Sequence, residues 1–255
     1  MTTPVALERA ADLSAVAGAL EDAHPREAVA WALDRFPRDR VAVVTGLQAD
    51  GVAVADMAIA IDPRVRIITI DTGRLPAESY EYLDTLRRHY QRGIEVIFPE
   101  RADIERFTGR YGVNPFYTSA ERRLECCSLR KVAPLKSLLG TLDCWLTGLR
   151  RDQSTGRGVI GIVERDGEHG GITKVNPLAA WGETDTLDHL ASAGVPVHPL
   201  YGQGYGSIGC APCTRATREG EDPRAGRWWW EKGIDKECGI HLGGSAASEV
   251  GSGHD

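Results

Sequence analysis

The sequence predicts an α/β fold built on a mostly parallel, twisted sheet with helices on both faces, and three observations carry that prediction. Two near-continuous β-branched runs, VAVVTG at 41–46 and VRIITID at 65–71, have the composition of strands buried on both sides. A helical pattern from about 51 to 61 separates them, which makes a strand, helix, strand unit with a parallel pair. The alternation then continues through a helical pattern at 76–91, a third strand, IEVIFP, at 94–99 and another helix after Arg101.

The remaining elements come in order along the chain. Ahead of the first strand, apolar residues recur at helical spacing over 7–36 with an interruption at His24-Pro25, so two amphipathic helices are expected to pack as scaffold on the strand and helix units. After a helical, basic stretch at 119–140, CWLTGLR at 144–150 and GVIGIVERD at 158–166 read as further strands, and 184–193 as a late helix. From Tyr201 onward regular periodicity fades, and the Gly/Ser-rich end, 243–255, reads as a disordered tail. We therefore expect one domain over 1–242, opened by helices in 1–40 and closed by an irregular segment at 201–242.

The chain has 255 residues, 42% of them hydrophobic and 26% charged, a balance that fills a core and excludes disorder of the whole chain. Its first 36 residues interleave acids and bases and lack the apolar centre of a signal peptide, and no window reaches the ~18 apolar residues of a membrane span. A cytoplasmic protein with no membrane partner is expected, and there the six cysteines read as metal ligands or nucleophiles rather than disulfides. A net charge of -6 argues against a general nucleic-acid binder. Residues 122–157 nevertheless carry eight basic side chains against three acids. That excess fits either a solvated face or a pocket for a small polyanion.

The cysteines are the most informative feature: Cys126-Cys127 in LECCSLRK, Cys210 and Cys213 in GCAPC, and a lone Cys238 in ECGIH. Four thiolates in two pairs hold a tetrahedral zinc or a [4Fe-4S] cluster, and composition does not choose between them. Adjacent cysteines diverge, which is awkward for one ion and natural for a cluster with separate irons, so the cluster is favoured. Cys144, at the head of an apolar strand, reads as core. Cys238 lies in a polar stretch between Lys236 and His241, cations that favour the reactive thiolate, and is the candidate nucleophile. The triplet Trp228-Trp229-Trp230 is expected in the core, with a docking surface as the minority reading.

Ligands of open parallel sheets bind outside the carboxyl ends of the strands, which puts the loops at 45–50 and 71–75 on one rim. Thr45 and Gly46 open a helix whose amides suit a phosphate, although the loop lacks the lysine of a Walker motif. Asp71, Thr72, Gly73 and Arg74 add a hydroxyl, amides and a guanidinium, and Arg150, Arg151 and Arg157 follow another strand end. Arginine forks suit phosphate and sulfate oxygens, so the electrostatics point to a nucleotide or mixed anhydride.

The motifs IDTGRLPAESYEY, ECCSLRKVAPL, WLTGLRRDQS, KVNPLAAW, SIGCAPCTR, GEDPRAGRWWWE and KECGIH, in that order from about Val41 to Leu242, resemble the assimilatory adenylyl-sulfate and phosphoadenylyl-sulfate reductases. The resemblance implies an adenine nucleotide α-hydrolase-like (PP-loop) fold, and the CC and CxxC pairs are similar to those of the branch that binds a [4Fe-4S] cluster and is associated with adenylyl sulfate. It makes Cys126, Cys127, Cys210 and Cys213 the cluster ligands and Cys238 the nucleophile. Lys131 resembles the lysine between cluster and substrate, and Arg224, Arg227 and His241 those that hold phosphate and sulfate; Arg157 follows a loop that varies in the family. The loop at Thr45 departs from the usual serine-rich version.

The reaction so implied is reduction of adenylyl sulfate to sulfite and AMP through an S-sulfocysteine on Cys238, with thioredoxin as electron donor, in sulfate assimilation and cysteine biosynthesis. Flanking glycines and a place near the terminus predict that the segment from about Lys232 moves as a lid. The rivals are a phosphoadenylyl-sulfate reductase, a PP-loop ATP pyrophosphatase that thiolates tRNA, and a zinc-stabilised binding module. The loop at Gly46 lacks the SGGxDS pattern expected for cleaving ATP. A homo-oligomer stands open beside a monomer.

Overall fold

In a computed structural model, residues 13–153 and 160–231 are described. The expected tail at 243–255, the expected lid, Cys238, His241 and Arg157 all lie outside the described residues.

Among the described residues six strands form one sheet: β1 (Val41–Val44), β2 (Arg66–Ile70), β3 (Glu95–Ile97), β4 (Cys144–Leu146), β5 (Val163–Asp166) and β6 (Ile172–Val175). Their order is β3-β2-β1-β4-β6-β5, parallel except for the antiparallel β5-β6 pair. Val43 lies in register with Ile67 on one side and Leu146 on the other. The period of two then sorts each strand between two cores. Val41, Val43, Cys144 and Leu146 face one hydrophobic cluster, while Ala42 and Trp145 face the other.

Helices cover both faces. A helical stretch at 13–20 precedes α1 (Pro25–Arg35), which Pro25 starts and His24 caps by accepting the Arg26 N–H at 3.2 Å. The helix α2 (Ala49–Ile61) is apolar almost all round and buried between α1, α7 (Glu183–Ser192) and the sheet. Next come α3 (Ala77–Tyr90), α4 (Arg101–Tyr111), α5 (Ala120–Cys127) and α6 (Ala133–Leu139), the last packing on the second face through Leu135, Leu138 and Leu139. None of the described helices is long and apolar enough to cross a membrane.

Three elements differ from expectation. The basic stretch at 119–140 is not one continuous α-helix. Ser119 caps α5, and a π-helical turn, Ser128–Val132, links it to α6 because Pro134 has no N–H to continue the α-helical ladder. The strand expected over 144–150 stops at Leu146, where the Thr147 hydroxyl takes the Leu149 N–H at 3.2 Å and turns the chain. At the far edge, the described part of the next expected strand, 160–166, supplies only the four residues of β5, and β6 is an addition to the expected strands. Its ITKV is short and half polar, and it pairs with β5 across a turn completed by Gly170 and Gly171, both at positive φ.

The sheet order fixes where a ligand can bind. The chain runs outward from β1 to β3, then returns to place β4 on the other side of β1. Loops leaving β1 and β4 therefore diverge at their carboxyl ends and open a crevice. At its base Gly148 and Gly51 are in backbone contact, and a Cβ on Gly148 would lie 2.4 Å from the Gly51 nitrogen.

Candidate active site

A cavity of about 330 Å³ opens in that crevice. The β1 loop forms one wall through a compact turn: Thr45 Oγ1 accepts the Leu47 N–H at 3.0 Å, and Leu47, buried, takes the left-handed conformation with φ 61°. The first amide of α2, on Ala49, donates to the Tyr201 hydroxyl at 3.1 Å. Gln48 Oε1 accepts the Ile208 N–H at 3.0 Å, which ties the 206–209 loop across the cavity mouth. Gln48 belongs to the loop expected on the rim, whereas Tyr201 was not a site candidate, because its partner Ala49 lies more than 150 residues away in the chain.

Lys131, Arg224 and Arg227 line this cavity together with Thr45, Gly46 and Thr72. Arg227 is buried, with Nη1 held by the Ile208 carbonyl at 3.3 Å. Of the second loop, 71–75, Thr72 and Leu75 reach the cavity wall, while Asp71, Gly73 and Arg74 do not line it. Asp71 instead accepts the Gly73 N–H at 2.7 Å and the Tyr80 hydroxyl at 3.1 Å, and burial with this carboxylate beside it pushes the Tyr80 phenol up to about 12. Arg74 reaches Asn114 Oδ1 at 2.5 Å and stacks over Phe116, while its carbonyl accepts the Ala211 N–H at 2.8 Å. The DTGR turn is thus a strut that carries the CxxC loop.

Of the arginines after β4, Arg150 and Arg151 are paired with carboxylates; Arg157 lies outside the described residues. Arg150 lines the cavity but is buried against Asp50, 2.7 Å from its Nε, and against Asp152. Gln153 locks this arrangement by donating to Asp50 Oδ2 at 2.7 Å and to the Gly148 carbonyl at 3.1 Å. Arg151 turns away and pairs with Glu21, whose carboxyl it holds below its usual range. Much of the local basic excess is therefore compensated: Arg122 pairs with Glu125, and Arg123 with Glu231.

The four paired cysteines converge. Cys126 and Cys127 end α5, Cys210 and Cys213 lie at the turn Ala211–Cys213, and all four are buried, outside any disulfide, in one cluster with Phe107, Phe116 and Trp228. They line a second, smaller cavity with Arg74, Arg123, Arg130 and Lys131, so Lys131 borders both cavities. Thr72 Oγ1 lies 3.3 Å from Cys210 Sγ, and Arg130 is fixed by the Thr72 carbonyl at 2.7 Å. Burial first, then the neighbouring Cys210 and Cys127, pushes the Cys213 thiol up to about 12, and burial likewise raises Cys126. Among the described residues no three His, Cys, Asp or Glu side chains are set for a single metal ion.

Three buried donors around this centre lack acceptors: Arg123 Nη1, Arg227 Nε and Trp228 Nε1. Both guanidiniums stack on the Trp228 indole, at 4.6 and 4.8 Å from its ring centroid. Orphaned donors beside four thiols are what an anionic sulfur-rich group would satisfy. Arg123 is a functional candidate missed in the sequence, although its spacing of three and four from Cys126 and Cys127 on one helix marks it as their neighbour. Trp228 is core, as expected; Trp229 is not, being 40% exposed, and Trp230 is partly buried against Phe116 and Tyr117. Cys144 is fully buried in β4, and burial raises its thiol.

Comparison with known proteins agrees with this architecture. A family profile described as the phosphoadenosine phosphosulfate reductase domain matches residues 40–216. The chain is 43% identical over 204 residues to an adenosine 5'-phosphosulfate reductase of Burkholderia cepacia, covering 80% of this chain and 81% of that one. It is 39% identical over 240 residues to the chloroplastic 5'-adenylylsulfate reductase 3 of Arabidopsis thaliana, covering 91% of this chain and 52% of that one. Among solved structures, a phosphoadenylyl-sulfate reductase from Candida auris in a phosphate complex superposes with a TM-score of 0.67 at 26% identity, over 80% of this chain and 96% of that one. An FMN adenylyltransferase from Candida glabrata, at 10% identity and TM-score 0.52 over 78% and 66% of the two chains, shares the fold alone. By the extent of the profile match and the identity to these relatives, the chain belongs to the phosphoadenosine phosphosulfate reductase family.

Proposed function

We propose that the chain reduces adenylyl sulfate to sulfite and AMP, with Cys238 as nucleophile and thioredoxin as electron donor. The observation that supports this reading most directly is the position of Lys131 between the cysteine centre and a cavity that Arg224 and Arg227 also line. Three cations on one cavity suit the doubly anionic phosphosulfate, and each charge-assisted hydrogen bond is typically worth about 1.5–3 kcal/mol. That relatives 43% and 39% identical are named for adenylyl sulfate supports this nucleotide as the substrate rather than its 3'-phosphorylated form.

In the proposed reaction the Cys238 thiolate attacks the sulfate sulfur, the bond from sulfur to the bridging phosphate oxygen breaks, and AMP leaves with the electron pair. Lys131, Arg224 and Arg227, with His241 and Arg157 from outside the described residues, hold phosphate and sulfuryl oxygens as charge shifts onto the leaving phosphate. The β1 loop at Thr45 and Gly46 orients the nucleotide. A thioredoxin thiolate then attacks Cys238 Sγ, sulfite departs with the electrons of the sulfur–sulfur bond, and the second thioredoxin thiol resolves the mixed disulfide. The dithiol supplies both electrons.

Cys126, Cys127, Cys210 and Cys213 would hold a [4Fe-4S] cluster, which supplies a fixed local charge beside Lys131. Four thiols in one buried cluster fit such a group, and the orphaned donors on Arg123, Arg227 and Trp228 would suit its negative charge.

Anaerobic single turnover without thioredoxin, followed by intact-protein mass spectrometry, tests the reading. Adenylyl sulfate is expected to leave a sulfonate on the wild type and none on Cys238→Ser. An adduct only with the 3'-phosphorylated nucleotide would reassign the substrate; none with either would remove the covalent mechanism.

A further inference from the structure

A polar pair on the wall of the large cavity takes no part in the proposed reaction. Ser79, in the first turn of α3, lines the cavity and is 3% exposed; His198, 1% exposed, lies behind it with Nε2 3.0 Å from Ser79 Oγ. The other ring nitrogen, Nδ1, accepts the Leu200 backbone N–H at 3.2 Å. A neutral imidazole has one proton, and an accepting Nδ1 puts it on Nε2. Burial keeps the ring neutral by lowering its pKa to about 4.

Nε2 therefore donates to Ser79 Oγ, and the serine's own O–H is left to be donated elsewhere. A helical serine or threonine commonly returns that hydrogen to the carbonyl four residues earlier, as Thr85 on the same helix does to the Glu81 carbonyl at 2.8 Å. Ser79 makes no such bond, and among the described residues no other protein acceptor takes its hydrogen. A buried hydroxyl with an unspent donor on a cavity wall points at a ligand acceptor.

We infer that the Ser79 hydroxyl donates a hydrogen bond to the adenosine half of the bound nucleotide, with His198 as the positioning residue that fixes its direction. The inference rests on reading the cavity as a nucleotide site. Lys131, Arg224 and Arg227 serve the anionic half. Ser79 and the neutral His198 ring carry no charge, Leu75, four residues before Ser79, lines the same cavity, and the charge that acts on His198 is the Glu78 carboxylate. An uncharged donor near a carboxylate suits a ring nitrogen or ribose oxygen rather than a phosphate.

Calorimetric titration with AMP tests this on the purified, cluster-loaded protein. Ser79→Ala is expected to bind AMP about tenfold more weakly, the size of one hydrogen bond. Because that variant strands the His198 Nε2–H, the double variant Ser79→Ala/His198→Phe, which removes both groups, is measured beside it and is expected to match. AMP analogues that each lack one acceptor (1-deaza, 3-deaza, 7-deaza, 2'-deoxy and 3'-deoxy) then locate the contact. One of them should bind the wild type about tenfold more weakly than AMP does, yet bind Ser79→Ala no more weakly than AMP does. Equal AMP affinity in wild type and both variants overturns the Ser79 assignment alone, as does an unchanged analogue ranking in folded Ser79→Ala. No AMP binding by the wild type overturns the nucleotide reading and this inference with it.

Discussion

Arg123 and Glu231 form a buried two-pronged ion pair, with Nε 3.0 Å from Oε1 and Nη2 2.9 Å from Oε2, and their side chains are only 2% and 7% exposed. Arg123 stands on the helix of Cys126 and Cys127, and Glu231 is the last described residue before the stretch that carries Cys238. The Trp228 N–H, donated to the Cys213 carbonyl at 3.1 Å, fastens the same tail to the CxxC loop. Removing one partner leaves a buried charge uncompensated, so Glu231→Ala should cost about 3–5 kcal/mol in urea unfolding. Arg123→Met/Glu231→Leu, which removes both charges, should cost less than either single truncation; an equal or larger loss would show that shape, not charge, dominates.

The cysteines should separate into two classes by metal content. Cys126→Ser, Cys127→Ser, Cys210→Ser and Cys213→Ser are each expected to lose iron and visible absorbance, since their four thiols surround one cavity. Cys144→Ala should keep both and lose about 1–2 kcal/mol of stability, because Cys144 is fully buried in β4 and only its packing is lost. Iron and sulfide assays on the five purified variants decide the matter.

Gly148→Ala has no room for its methyl group. The Cβ would lie 2.4 Å from the Gly51 nitrogen and 2.6 Å from the Asp50 carbonyl carbon, both backbone atoms that a rotamer change does not move. We expect a loss of about 1–3 kcal/mol and weaker AMP binding, because the β1 and β4 loops must part. Thermal melts and AMP titration on the one variant measure both.

His198 should make stability depend on pH. Its folded pKa, lowered by burial to about 4, lies below the ordinary value of 6.5, so the unfolded chain binds the extra proton first as pH falls. Stability from this residue is therefore full above pH 6.5 and declines toward pH 4, by up to about 3 kcal/mol. Urea unfolding at pH 7 and pH 5 should show the decline in wild type and a shallower one in His198→Gln; identical slopes would refute the assignment.

Local pattern was enough for much of the molecule. The β-branched runs announced β1 and β2 because buried parallel strands need apolar side chains on both faces, and the CC and CxxC pairs, read as one group of four thiols, do meet in one buried cluster. The weakest elements, β6 and the π turn before Pro134, were missed because four half-polar residues, or one absent N–H, barely alter periodicity.

The sequence by itself determined the strand alternation, the rim on which the large cavity opens and the grouping of four cysteines as CC and CxxC. Tertiary structure alone decided which charges act: Arg150 is neutralised by Asp50, a hundred residues away in the chain, and Arg151 by Glu21, while Asp71 and Arg74 turn out to support the CxxC loop and Trp229 meets solvent. A charge or a hydroxyl is defined chemically by its nearest partner, and in a sheet whose chain crosses back over β1 that partner is set by packing and not by its neighbours in sequence.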